Sequence, residues 1–276
     1  MTQVLAIARL DFAAIRRSRW IWFCLATYTV LGIVLVTASS RESAILGFTG
    51  SSRVLLSFSH ALLVAIPLIA LTATAPVIQR AREDGSLELL LSQPLSPAAW
   101  FVATFTVRLA ALIAPLALAL VGIGLYGQLA YHDPIPWAFI AHALAISASL
   151  MSAFAGIGAL ISAHVRDPAR VITYLVVTWA LAVALLDFGV IGMLLRWHVN
   201  PRVVFGIAIA NPVEAARLAL LGHLQPDLGT YGPVGFYLAN RVGTHTLSII
   251  GVAWPAALGA ITSALAYFKF RRSDRV

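Results

Sequence analysis

A single cysteine, one lysine and three methionines stand in 276 residues, of which only 11% are charged. One cysteine excludes an intramolecular disulfide and any cysteine-based metal site, and Cys24, inside an apolar run, reads as a small core residue. Met1, Met151 and Met193 are too few and too far apart for a thioether ladder that would pass Cu(I). The seven histidines, His60, His132, His142, His164, His198, His223 and His245, occur singly, with no His-x-x-x-His pair. Each reads as a surface or core histidine, so no metal site is nominated. No Gly-x-x-x-x-Gly-Lys-Ser/Thr phosphate loop, Gly-x-Ser-x-Gly elbow or His-Glu-x-x-His pair occurs. Without a phosphate cradle the chain is not expected to hydrolyse ATP itself, and no catalytic residue is nominated. An intramembrane enzyme would need paired polar residues at one depth, which the isolated Arg108 and the scattered histidines do not supply.

What is abundant is apolar sequence: 60% of residues are hydrophobic and the mean hydropathy is +0.89. Soluble proteins average about 25% charged residues, so residues 1–276 read as one all-α, polytopic membrane domain. Six runs can cross a bilayer, near 20–38, 55–78, 99–126, 136–162, 170–187 and 246–268. The first, about 19 residues, exceeds the 7–15 of a signal-peptide core and reads as a retained span. Six spans put both termini on one side. That side carries Arg9, Arg16, Arg17 and Arg19, then Arg80 and Arg82, Arg166 and Arg170, and Lys269, Arg271, Arg272 and Arg275. The positive-inside rule puts that side, with both termini, in the cytoplasm. The formal charge of +8 then needs no nucleic acid to explain it.

Residues 1–19 read as an interfacial helix: Val4, Ile7, Ala8, Phe12 and Ile15 recur at helical spacing, with Arg9, Arg16 and Arg17 opposite. The external connection 188–245 is broken by Asn-Pro and Gly into the short pieces "GVIGMLLRW", "RVVFGIAIA" and "VEAARLALLG". None can span, so they read as re-entrant or interfacial helices packed on the bundle.

The cytoplasmic segment 80–98 holds the most patterned stretch, "EDGSLELLLSQPLS". Gly85 ends one helix and Ser86 or Asp84 caps another. Glu83, Asp84 and Glu88 then flank its start, where the helix dipole favours negative charge. Leu87, Leu90 and Leu91 form an apolar face with Leu89 at its flank. Pro94 stops the helix, and Ser96-Pro97 opens the next. Such a helix either rests on lipid or docks a soluble partner. Three carboxylates beside an anionic leaflet weigh against lipid.

"REDGSLELLLSQPLSPAAW" resembles the cytoplasmic segment of ABC type-2 transporter permeases, and "ANPVEAARLALLG" resembles their Asn-Pro segment before the last span. The family resemblance implies a coupling helix, here Glu83, Asp84, Gly85, Ser86, Leu87, Glu88, Leu90 and Leu91, seated in a groove of a separate cytoplasmic ATPase dimer. ATP and magnesium would be bound by that ATPase, and no cofactor by this chain. "LGFTG", "PLIAL" and "ANPVEAARL" are most similar to NosY-like permeases, membrane subunits of the transporter that supports copper-centre assembly in nitrous oxide reductase. That branch implies a homodimer and a periplasmic NosD-like partner contacting Asn211, Pro212, Glu214 and Arg217. A two-fold axis would double every ligand, so a metal site built from His60 or His142 stays open. An exporter of a lipid, peptide or drug-like molecule is the alternative.

Three residues inside spans have open readings. Arg108, about ten residues into the third span, binds an anionic headgroup, locks spans together, or snorkels to the interface. Asp187 lies at the opposite depth and is a poor partner for it. Pro67 and Pro115 act as gating kinks or are ordinary membrane-helix prolines. Glu214 and Arg217, three apart, can pair.

Overall fold

Lipid cannot hydrogen-bond a backbone, so a chain this apolar must satisfy its amides within helices. The computed structural model describes residues 2–17, 22–34, 51–93, 95–132, 134–185, 201–224 and 243–273, and every regular element among them is helical. In chain order these are α1 (Thr2–Arg17), α2 (Trp22–Val34), α3 (Ser51–Thr74), α4 (Val77–Glu83), α5 (Ser86–Leu91) and α6 (Pro97–Tyr131). There follow α7 (Trp137–His164), α8 (Pro168–Ala180) running into a π turn at Leu181–Leu185, α9 (Pro201–Ala210), α10 (Pro212–Leu224) and α11 (Thr244–Ser273). Pro94, Asp187 and the piece expected at 189–197 lie outside the described residues.

Among the described residues four helical stretches are long and apolar enough to cross a membrane: Ala61–Glu83, Pro97–Ala130, Trp137–His164 and Thr244–Arg272. The expected first and fifth spans are represented by shorter apolar helices, Trp22–Val34 and Pro168–Val183. The chain is an all-α membrane protein. Local chemistry sets the helix starts: Ser96 Oγ accepts from Ala99 N (3.1 Å) and Asp167 Oδ1 from Ala169 N (2.8 Å), each ahead of a proline at the first helical position. The third span runs past its expected end to Tyr131, where His132 caps it in the left-handed region (φ 58°). Pro134 and Pro136 then prevent continuation.

Burial separates inner helices from outer ones. The most apolar windows of α7 and of Ala61–Glu83 are 61% and 67% buried, against 39% for α6 and 28% for α11. Helix α7 is the hub, and small residues let its neighbours approach. A side chain at Gly156 would come within 2.6 Å of the Gly259 carbonyl on α11, and one at Gly259 within 2.5 Å of the Ser152 carbonyl.

A separate apolar cluster closes one end of the bundle. It joins Ile7 of α1, Val77 and Ile78 of α4, Leu87 of α5, Trp100 and Phe101 of α6, Ala163 of α7 and Phe270 of α11. Trp100 and Phe270 stack at 5.3 Å between centroids. The amino-terminal helix, the segment 84–96 and the carboxy-terminal end of α11 therefore meet at the same end.

Two expectations need correction here. The second span is not one continuous helix over 55–78: α3 ends at Thr74 and α4 begins at Val77. Pro76 has no amide to continue the ladder, whereas Pro67 and Pro115 lie buried inside unbroken helices. On α1, Phe12 is 52% exposed, and Asp11 lies on the half-buried side with Val4, Ile7, Ala8 and Ile15.

Candidate coupling site

The break at Ala75–Pro76 leaves carbonyls at the end of α3 and amides at the start of α4 without helical partners. Side chains from two other spans satisfy part of that need. Arg108 Nη1, on α6, donates to the Ala73 carbonyl (3.3 Å). Ser162 Oγ, on α7, accepts from Ile78 N (2.9 Å) and Gln79 N (3.3 Å). Ser162 is fully buried and Gln79 is 2% exposed, so water does not compete for these bonds. The joint also lies against Gly158, where an added side chain would come within 3.1 Å of Ala75 N. The joint is thus capped from both sides by tertiary contacts, not by its own sequence.

From the joint, α4 leads through a tight turn into α5. Gly85 takes φ +69°, a conformation in which only glycine is unstrained. Asp84 Oδ1 accepts from Ser86 N (3.0 Å), and Ser86 Oγ donates to the Ala81 carbonyl (3.4 Å). The bonds from Ser86 hold the Asp84 carboxyl below its ordinary range. Leu89 N donates to the Gly85 carbonyl (3.2 Å) and Ser92 N to the Glu88 carbonyl (2.9 Å), which completes the short helix. The expected helix is present and begins at Ser86; of the two residues expected to cap it, Asp84 accepts the Ser86 amide, whereas the Ser86 hydroxyl turns back to Ala81.

Of the expected apolar face of Leu87, Leu90 and Leu91, the side chains of Leu90 and Leu91 lie outside those described. Leu87 is 3% exposed and belongs to the apolar end cluster, so it anchors α5 to the bundle. Leu89 is 70% exposed, and Glu83, Asp84, Glu88, Ser92 and Gln93 are exposed around it. Leu90 and Leu91 lie in the last turn of α5. The outward surface of α4–α5 therefore carries three carboxylates and a leucine, while Leu87, expected to face a partner, faces inward. A helix of six residues anchored by one leucine must expose what lies about two positions away, since successive residues turn by about 100°.

Arg108 is the half-buried part of the site. Its second nitrogen, Nη2, lies 4.0 Å from Asp11 Oδ1 of α1. Burial raises the affinity of the Asp11 carboxyl for its proton, and Arg108 opposes that shift. Sequence reasoning noted Arg108 and missed Asp11. The signal was present, since Asp11 continues the helical series 4, 7, 8, 11, 15 on an otherwise apolar face. Sequence reasoning also missed Ser162 and Pro76, because a serine inside a span carries no local mark of the helix it caps.

The second expected group, in the former "ANPVEAARL" stretch, is not gathered into an exposed surface. Asn211 is 3% exposed; its Nδ2 donates to the Ala182 carbonyl in the π turn after α8 (2.7 Å), and its Oδ1 accepts from Val213 N (3.0 Å). Asn211 thus caps α10 and ties it to α8. Pro212 occupies the first position of α10, and Glu214 pairs with Arg217 at 2.7 Å, three residues apart. His142 Nε2 lies 3.4 Å from Ser248 Oγ. Among the described residues no three His, Cys, Asp or Glu side chains gather as a metal site.

Residues 5–275 match the family model described as ABC-2 family transporter protein. The chain is 26% identical to a probable ABC transporter permease protein, NosY, of Stutzerimonas stutzeri, with 99% of each chain covered. It is 25% identical, over 99% of each chain, to the protein of the same name from Pseudomonas aeruginosa.

Proposed function

The chain belongs to the ABC-2 transporter family as a permease subunit, and on that premise we propose that it carries ATP-driven motion from a separate cytoplasmic ATPase dimer into the membrane. The observation that supports this is the division of α4–α5 into a buried anchor, Leu87, and an exposed acidic and leucine surface around Leu89. A lever needs both parts. Burying one leucine contributes about 1.5–3 kcal/mol, enough to keep α5 attached to the bundle when a partner displaces it. The exposed carboxylates add charge complementarity toward a basic rim, which steers docking and weakens with salt. ATP and magnesium belong to the ATPase, and one ATPase dimer pairs with two copies of this chain. Both termini, α4–α5 and the 165–167 turn then face the cytoplasm.

The similarity to NosY permeases supports a finer reading. The motion passes along α3 and α6 to a NosD-like periplasmic protein docked on the 188–245 segment, and serves copper-site maturation of nitrous oxide reductase. In this reading the permease acts as a mechanical transmitter and not as a copper conduit. Export of an amphiphile is the second reading, favoured by an apolar groove of ≈ 450 Å³ between α2 and α6, lined by Tyr28, Gly32, Ile33, Leu118, Gly122 and Tyr126.

Leu89→Asp is expected to lose the ATPase on affinity purification of the tagged permease, while membrane insertion and thermal stability stay at wild-type values. An L89D permease that retains the ATPase and full transport-linked hydrolysis would sink the lever. Copper-independent export of a lipid or peptide by the reconstituted transporter would replace the maturation reading.

A further inference from the structure

We propose that the crevice between α1, the α3–α4 joint and α6 binds the headgroup of a phospholipid bearing both a phosphate and a primary ammonium, the phosphatidylethanolamine class. The crevice measures ≈ 520 Å³ and is lined by two cations and two anions, Arg80, Arg108, Asp11 and Asp84. Pairing within the chain leaves hydrogen-bonding capacity over. Arg108 and Asp11 approach only to 4.0 Å. One buried atom on each, Arg108 Nε and Asp11 Oδ2, has no hydrogen-bond partner. An unmet buried donor or acceptor on a charged group is costly, so an occupant offering one acceptor and one donor fits both needs.

Phosphate is the matching acceptor. Arg80 is exposed and lines the crevice with Arg108, so two like charges repel across one space. An anion between the two guanidiniums removes that repulsion and accepts charge-assisted bonds from both. A primary ammonium is the matching donor, for Asp11 Oδ2 and for the exposed carboxylate of Asp84. Ile15, Val77 and Trp100 supply apolar lining for the glycerol and the first methylenes. Depth agrees with a lipid source: α1 exposes Leu5, Leu10 and Phe12 on its outer side and carries Arg16 and Arg17 in its last turn, the pattern of a helix at the headgroup–acyl boundary. A quaternary choline has no N–H to give Asp11, and a glycerol headgroup has no cation. The site is therefore selective, and it stands whether or not α5 couples to an ATPase.

The test is native mass spectrometry of the detergent-purified permease, titrated with phosphatidylethanolamine, phosphatidylcholine and phosphatidylglycerol of identical acyl chains. Phosphatidylethanolamine should bind about tenfold more tightly than either competitor, the worth of one charge-assisted hydrogen bond. Arg80→Gln should weaken ethanolamine and glycerol lipids together. Asp84→Asn keeps the acceptor for Ser86 N and should reduce the preference for ethanolamine over choline. Both positions are exposed, and unchanged thermal unfolding of the two variants verifies their folds. Equal affinity for the three lipids, or a preference untouched by both substitutions, overturns the site. Free phosphoethanolamine displacing the lipid at equal concentration would assign the crevice to a soluble phosphate compound and reject the lipid.

Discussion

Ser162 gives one hydroxyl oxygen to two backbone amides at the head of α4, in a place where no water reaches them. Removing such a cap costs about 1–2 kcal/mol, so Ser162→Ala should lower the unfolding midpoint of the purified permease without affecting ATPase docking at α5. An unchanged midpoint would mean that the amides find another acceptor. Leu87 and Leu89 are two residues apart with opposite roles. Leu87→Ala empties part of the end cluster and should cost about 2–5 kcal/mol, read as loss of thermal stability, whereas substitution at exposed Leu89 should leave stability alone. Asp84 adds a pH signature. Its folded-state pKa is lowered, so its contribution to the turn is present above the ordinary carboxylate range and is lost as pH falls through the depressed value.

In the proposed coupling, α4 and α5 act as the lever and the Ala75–Pro76 break between α3 and α4 as its pivot. Pro76→Ala restores an amide and allows α3 and α4 to fuse into one helix. Spin labels at exposed Ser92 and Leu118 should then show a narrower distance distribution that no longer responds to nucleotide, while the ATPase stays bound. A distribution that still shifts with nucleotide would place the pivot elsewhere. Helix α10 behaves differently. With Asn211 buried against the π turn, Asn211→Ala should destabilise the packing of α8 on α10, by about 1–3 kcal/mol for a broken buried bond. Any loss of partner binding at 188–245 would then follow from the fold, not from a lost contact.

For the whole molecule, the apolar end cluster ties together α1, α5 and the end of α11, so those parts share a side of the membrane. Cysteines placed at Ser92 and His132, in a Cys24→Ala background, flank α6 and should react with impermeant reagents from opposite sides. Labelling of both from outside would overturn that topology. Replacing His60 and His142 together with alanine should leave ATP turnover and copper-enzyme maturation near wild type, because a mechanical transmitter needs no ligand along its axis. Loss of copper delivery with the complex still assembled would instead favour conduction through a site shared between two copies.

Composition and periodicity alone determined that this is a helical membrane protein, that a short helix follows a turn at Gly85, and that Ser96-Pro97 opens the next helix. Those features are local: an apolar run must close its own backbone bonds in lipid, and caps and positive-φ glycines act on their neighbours within a few residues. Tertiary structure decided which leucine faces outward, which proline breaks a helix, and what Arg108 meets. Pro67, Pro76 and Pro115 are alike in sequence, but only at Pro76 do Arg108 and Ser162 arrive from other spans to cap the ends it exposes. Asp11 and Arg108 are 97 positions apart (108 − 11) and meet because α1 folds back along α6. A local pattern cannot carry that contact, since the energy that holds it comes from burying α1 against a surface the rest of the bundle builds.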